Sequence, residues 1–235
     1  MRIRAALRDP PRDPLIIGNL VPLLARDDVV RMVVFALASF GARAAGEMVS
    51  VLLDPATSDV VRRRVPLALK SCPSPIARDG LLIALDRFEF EIRLRCGRAV
   101  LALTDEHPEL LKPFPAALGL VERELTSGGE MHRVREHVFN LLALALEREP
   151  VRIAARAFAG EDAYVRGTAF EYLETVLPAR LFSALRPVLA AAGPPPVRKR
   201  SATEVRAELM RAGATMTVSL DELRRQLDAA AREDS

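Results

Sequence analysis

The sequence predicts an all-α protein made of stacked helix–turn–helix repeats, and three observations carry that expectation. A Val-Arg or Ile-Arg dipeptide recurs at Val30-Arg31, Val61-Arg62, Ile92-Arg93, Val134-Arg135 and Val165-Arg166, at intervals of 31, 31, 42 and 31 residues. The residues that follow keep columns. Four positions on stand Val34, Val65, Cys96, Val138 and Ala169; seven on, Leu37, Ala68, Ala99, Leu141 and Tyr172; eight on, Ala38, Leu69, Val100, Leu142 and Leu173. At about 100° per residue these offsets share one helix face. Third, no segment sustains the period-two alternation of a half-buried strand.

Each dipeptide opens the second helix of a repeat. A residue able to cap the free N–H groups precedes it by three positions at Asp27, Ser58, Glu89 and Asp162; in the fourth repeat Glu130 stands just before Met131. The first helices are expected at about 14–25, 42–53, 75–87, 114–126 and 148–159. Breakers separate the pieces at Gly41, Asp54-Pro55, Pro73-Ser74-Pro75, Gly128-Gly129 and Gly160. A two-helix unit of this size cannot bury its apolar face alone, so five units over 14–178 stack into one core. The long third interval places a surface excursion between Thr104 and Gly129. A closing helix carries the array to residue 192, giving a repeat region of 1–192, a stiff basic linker at 193–200 with Arg198-Lys199-Arg200, and a helical tail at 201–235. Ser201 with Glu204, and Ser219 with Glu222, have capping-box spacing. Leu220, Leu223 and Leu227 form a stripe that docks on the array or binds a partner.

The motif Asp27-x-x-Val30-Arg31, echoed at Asp162-x-x-Val165-Arg166 and Glu89-x-x-Ile92-Arg93, resembles the second helix of HEAT and HEAT-like repeats. That resemblance spans about 165 residues and implies a right-handed α-solenoid whose second helices line the concave side. The segment from Thr168 to Pro178 and the helix after it are also similar to the cytoplasmic HEAT region of some bacterial nucleotide-translocase-like transporters. HEAT arrays serve many unrelated roles, so the fold alone assigns none.

Composition narrows the classes. Half of the 235 residues are apolar and 28% are charged, which excludes both disorder and a polytopic membrane protein. The net charge is only +3, although arginine supplies all but three of the 34 basic residues. Cys72 and Cys96 sit in buried columns, outside any CxxC pair, and suggest a reducing cytoplasm. No apolar run reaches the roughly 18 residues of a membrane span, and the N-terminus lacks the core of a secretory signal.

Catalytic signatures are missing, and the expectation is a protein that is not an enzyme and needs no cofactor or metal. His132, Glu136 and His137 match neither HExxH nor HxxEH, and His132 with Glu136 reads as a surface pair. HEAT-like hydroxylases resemble this architecture but carry His-Glu dipeptides, and here Glu106-His107 and Glu136-His137 run in reverse. A HEAT-like lyase stays open as a third reading. The exposed face of the second helices is more informative. At offsets two, six and nine it is expected to carry Met32/Ala36/Ser39, Arg63/Leu67/Lys70, Leu94/Arg98/Leu101, Glu136/Asn140/Ala143 and Gly167/Glu171/Glu174, flanked by Arg64, Arg95 and His137. It runs from apolar through basic to acidic. The expected function is a protein-interaction scaffold or adaptor, with Arg63, Arg64, Arg95, Arg98, Asn140 and Glu171 as partner-binding residues. Nucleic acid or another anionic ligand is the alternative partner. The dipeptide arginines themselves read as a structural ladder whose heads reach acids of the preceding turn.

Overall fold

A computed structural model describes residues 13–126, 130–190 and 201–214. The basic linker, the Gly128-Gly129 breaker and the second capping box with its leucine stripe lie outside the described residues. Every regular element among the described residues is helical. The chain divides into two compact units after Ala116, within the excursion that lengthens the third repeat interval.

In the first unit, 3-10 turns Pro14–Ile16 and Val21–Ala25 flank helix α1 (Ile17–Leu20). Then come α2 (Val30–Ser39), a 3-10 turn Gly41–Ala44 running into α3 (Ala45–Leu53), α4 (Asp59–Arg62), α5 (Val65–Leu69), α6 (Pro75–Ala84) and α7 (Phe90–Glu106). The chain bends by 113° between α2 and the next helical run. Gly41 makes that corner with φ +55°, a left-handed conformation that suits glycine because it has no Cβ. Ser74 accepts a hydrogen bond from Ala77 N at 3.0 Å, and Pro75 opens α6, where no N–H is needed.

Two sets of helices pack in layers. The first helices α3 and α6 lie against each other, and the second helices stack α2 on α5 and α5 on α7. Their facing side chains, among them Leu24, Val33, Leu37, Met48, Leu52, Leu69, Leu81 and Leu94, are fully buried. At Gly80 the α3–α6 contact is so close that an added Cβ would lie 2.4 Å from Val49 Cγ2.

Two departures from the expected repeat have local causes. The second helix of repeat two is split, with a break at Arg63 and Arg64. Pro66 cannot donate a hydrogen bond to Arg62 O, and its ring crowds the preceding turn, so the helix restarts at Val65. In repeat one the buried face is Val29, Val33, Ala36, Leu37 and Phe40. These match Val61, Val65, Ala68, Leu69 and Cys72 of repeat two, which are buried too. The register of α2 is therefore one residue earlier than the Val30 column implies, and Val30 is only half-buried.

The second unit contains α8 (Ala117–Leu125), α9 (Met131–Ala145), α10 (Arg148–Ala159), α11 (Ala163–Val176), α12 (Ala179–Ala190) and α13 at 202–214. Here the principal contacts follow chain order from α8 to α12, and α12 returns to pack on α8. Aromatic pairs mark two of these seams: Phe139 and Phe158 with ring centroids 5.9 Å apart, and Phe170 and Phe182 at 5.0 Å, edge to face. Asp162 caps α11 by accepting from Tyr164 N and Val165 N. The first capping box is formed as well: Glu204 N donates to Ser201 Oγ at 3.3 Å and Ser201 N to Glu204 Oε2 at 2.9 Å. Helix α13 buries Val205 and Leu209, pairs Arg206 with Glu147, and lays Gly213 against Ile153.

Candidate partner-binding groove

The break between α4 and α5 positions the site. Arg63 lies at the break, exposed, with Nε donating to Asp59 O at 3.2 Å. On the adjacent helix α7, Arg95 pairs with Glu91 at 2.6 Å and reaches across to Arg63 O at 3.4 Å. Between these helices runs an open groove of about 280 Å³. Its basic residues are Arg63, Lys70, Arg95 and Arg98; Pro66, Leu67, Ala99 and Ala102 make its apolar surface, and among the described residues no carboxylate lines it. Short side chains at Ala99 and Ala102 leave the floor low between the longer basic ones.

Three of the four arginines proposed from the sequence thus converge. Arg64 does not. The helix break turns it to the opposite side, where Nη1 donates to Leu24 O at 2.7 Å and Nη2 pairs with Asp27. Leu24 O lies in the last 3-10 turn before α2, so Arg64 secures a helix end and lies outside the groove lining. Asp27 serves this ion pair and does not cap α2, which starts at Val30. Glu171 is only 8% exposed, packed inside the second unit. Asn140 is half-buried, with a buried Nδ2 that has no hydrogen-bond partner among the described residues. Both belong to the second unit, whereas the arginine cluster belongs to the first. Ala36, Leu94, Leu101, Ala143 and Gly167, expected on the outer face, are buried as well, because neighbours pack on both flanks of each second helix.

The groove residues missing from the proposed set, Lys70 and Leu67, were in the offset columns beside Arg63. What hid the apolar floor was that Pro66, Ala99 and Ala102 look like ordinary core residues in the sequence.

The arginine ladder is structural, but its heads seek carbonyl groups more than acids. Arg62, 5% exposed, donates to Asp54 O at 2.7 Å, Pro55 O at 3.2 Å and Asp59 Oδ1 at 2.8 Å, and its guanidinium lies 4.6 Å from the centre of the Phe88 ring. Arg93 donates to Phe88 O, and Arg166 to Gly160 O at 2.8 Å. Each thereby satisfies a carbonyl in the turn that leads into its own helix. Arg31, in the shifted register of α2, is exposed and drops out of the ladder.

His132 lies 3.8 Å from Glu130, both side chains exposed. His137 and Glu124 are fully buried 3.9 Å apart across the α8–α9 seam, with Arg123 3.2 Å from the same carboxylate. Among the described residues no three His, Cys, Asp or Glu side chains are grouped to hold a metal ion. No single described helix is long and apolar enough to cross a membrane.

Burial raises the thiol of Cys72 to about 11 and pushes that of Cys96 up as well. Both thiols should resist alkylation at pH 8 in the native chain and react only on unfolding, which a timed iodoacetamide reaction checks. An acid whose pKa is raised by folding stabilises the fold fully below its unfolded pKa and loses that contribution as pH rises towards its folded one. Stability should therefore hold to about pH 8.5 and decline between there and pH 11. Urea midpoints for the wild type and a Cys72→Ala/Cys96→Ala variant measure this; a decline of equal steepness in both would contradict it.

A second cleft, about 540 Å³, opens beside α6 and is lined by Leu82, Ile83, Pro113 and Phe114 together with Asp79, Asp86, Arg78, Arg87 and Lys112. Both signs of charge occur there, and Arg78 is already held by Asp79 at 2.6 Å and by Leu110 O at 3.3 Å. It offers no uniform field to a ligand. Comparison with protein-family models, curated proteins and solved structures found no match.

Proposed function

We propose that the chain is a non-catalytic interaction module, a HEAT-like solenoid in which the groove beside α5 and α7 takes an acidic segment of a protein partner. The observation that carries this reading is the groove's composition: four basic side chains around an apolar floor, with no lining carboxylate among the described residues. Such a surface selects by charge and holds by burial. At about 280 Å³ and open along its length, it admits side chains of a peptide better than a whole cofactor, whose pockets enclose most of the ligand.

The test is fluorescence anisotropy with an acidic peptide, a basic peptide of equal length and a DNA duplex, each at two salt concentrations. The acidic peptide should bind best. An Arg63→Glu/Arg95→Glu/Arg98→Glu variant should lose about tenfold or more in affinity while keeping its helicity and melting temperature, since all three side chains are exposed. Arg64 is left intact because it holds a helix end. Unchanged binding by the variant would remove the groove from consideration. Tighter binding of the duplex, falling steeply with salt, would favour the nucleic-acid reading suggested by the same four basic groups.

A further inference from the structure

The shifted register of α2 changes which residues lie side by side. With Val29 matched to Val61 and Ile92, position six of the second helices reads Phe35, Leu67 and Arg98. Phe35 is 67% exposed and Leu67 44% exposed. Singly, an exposed apolar residue needs no explanation. These two occupy the same position on helices packed against each other, so they form one patch, and Arg98 extends the row on the third helix. Arg31 and Arg63 flank the row on one side and Lys70 on the other.

We infer that the partner segment is an amphipathic acidic helix lying across α2, α5 and α7, with two apolar side chains seven residues apart on Phe35 and Leu67 and a carboxylate seven residues further on at Arg98. The inference rests on the groove reading above and adds the conformation and spacing of the ligand. Packed helices lie about 8–10 Å apart. Seven residues of α-helix advance about 10.5 Å and return to nearly the same face. Spacings of three or four residues advance only about 4.5–6 Å and cannot reach both anchors. In a strand, residues on one face recur every 6.7 Å or so, giving about 6.7 or 13.4 Å, neither of which matches. The surrounding basic groups supply the complementary charge for acidic residues on the helix flanks.

The experiment uses the full chain and three synthetic 18-residue peptides of equal charge. One has leucine at its second and ninth positions and glutamate at its sixteenth; one has the two leucines four apart; the third carries a central proline. Anisotropy should rank the first at least about tenfold tighter than the others, and circular dichroism should show it gaining helix on binding. Phe35→Ala and Leu67→Ala, both at exposed positions, should each weaken the first peptide about tenfold. Arg98→Leu should reverse the preference at the sixteenth position from glutamate to leucine. Indifference to leucine spacing, while the triple glutamate variant still abolishes binding, would overturn the helical inference and leave the groove reading standing. Loss of neither would overturn both. Concentration-dependent dimerisation abolished by Phe35→Asp would also overturn it, the row then being covered by a second copy of the chain.

Discussion

Gly80→Val should be the most damaging single substitution in the first unit, lowering its stability by roughly 3 kcal/mol or more. The added Cβ would sit 2.4 and 2.6 Å from the two methyl groups of Val49 and 3.0 Å from its Cβ. Rotating Val49 clears the methyls but not the Cβ, so relief requires α3 and α6 to move apart. Gly80→Ala isolates the effect. Helix propensity alone would make it stabilising by about 1 kcal/mol, whereas overpacking costs about 1–3 kcal/mol, so the net change should be destabilising. Chemical denaturation of Gly80→Ala, Val49→Ala and the double variant measures the coupling. A stabilised Gly80→Ala with no coupling to Val49 would show that the two helices are less tightly joined than the Gly80–Val49 contact implies.

The second large effect is expected at Arg62. Arg62→Ala should cost about 3 kcal/mol, from lost charge-assisted hydrogen bonds to Asp54 O and Pro55 O and the lost contact with Phe88. Arg62→Lys should recover only a fraction, because one ammonium cannot span two carbonyl groups, Asp59 and the ring together. The ladder supplies its own control. Arg166 makes the same bond to Gly160 O in a more open setting, and Arg166→Ala should cost no more than about 1 kcal/mol. Equal losses at the two positions, read from urea midpoints, would contradict the role given to burial.

Much of the helical layout was legible because local chemistry fixes it. The span 148–159 is set by Pro150 near its start and Gly160 after its end, and α10 follows it residue for residue. Asp162 and the Ser201–Glu204 pair cap where their spacing predicts. Where reading failed, the deciding contacts were remote or the local signal was outvoted. Val29 and Val30 are chemically equal candidates for the buried column, and only packing on α5 selects the first. Pro66 was a visible break, masked by the regularity of the columns around it. The return of α12 to α8 depends on contacts between segments 60 residues apart, on which a nearest-neighbour repeat pattern is silent. Of the site, the basic cluster was visible in columns; the diversion of Arg64 was not, since it depends on the helix break and on a carbonyl 40 residues upstream.

Arg62, Arg63 and Arg64 are three consecutive identical residues with three separate employments: an interior clamp, a groove wall and a helix-end tie. A saturation scan across the triplet would therefore read intolerant, permissive, intolerant. On the proposed reading of the groove, the permissive middle position is where recognition can be rewritten without risking the helices that present it. Partner choice, on that reading, and fold integrity would be carried by neighbours in the chain and be free to drift independently.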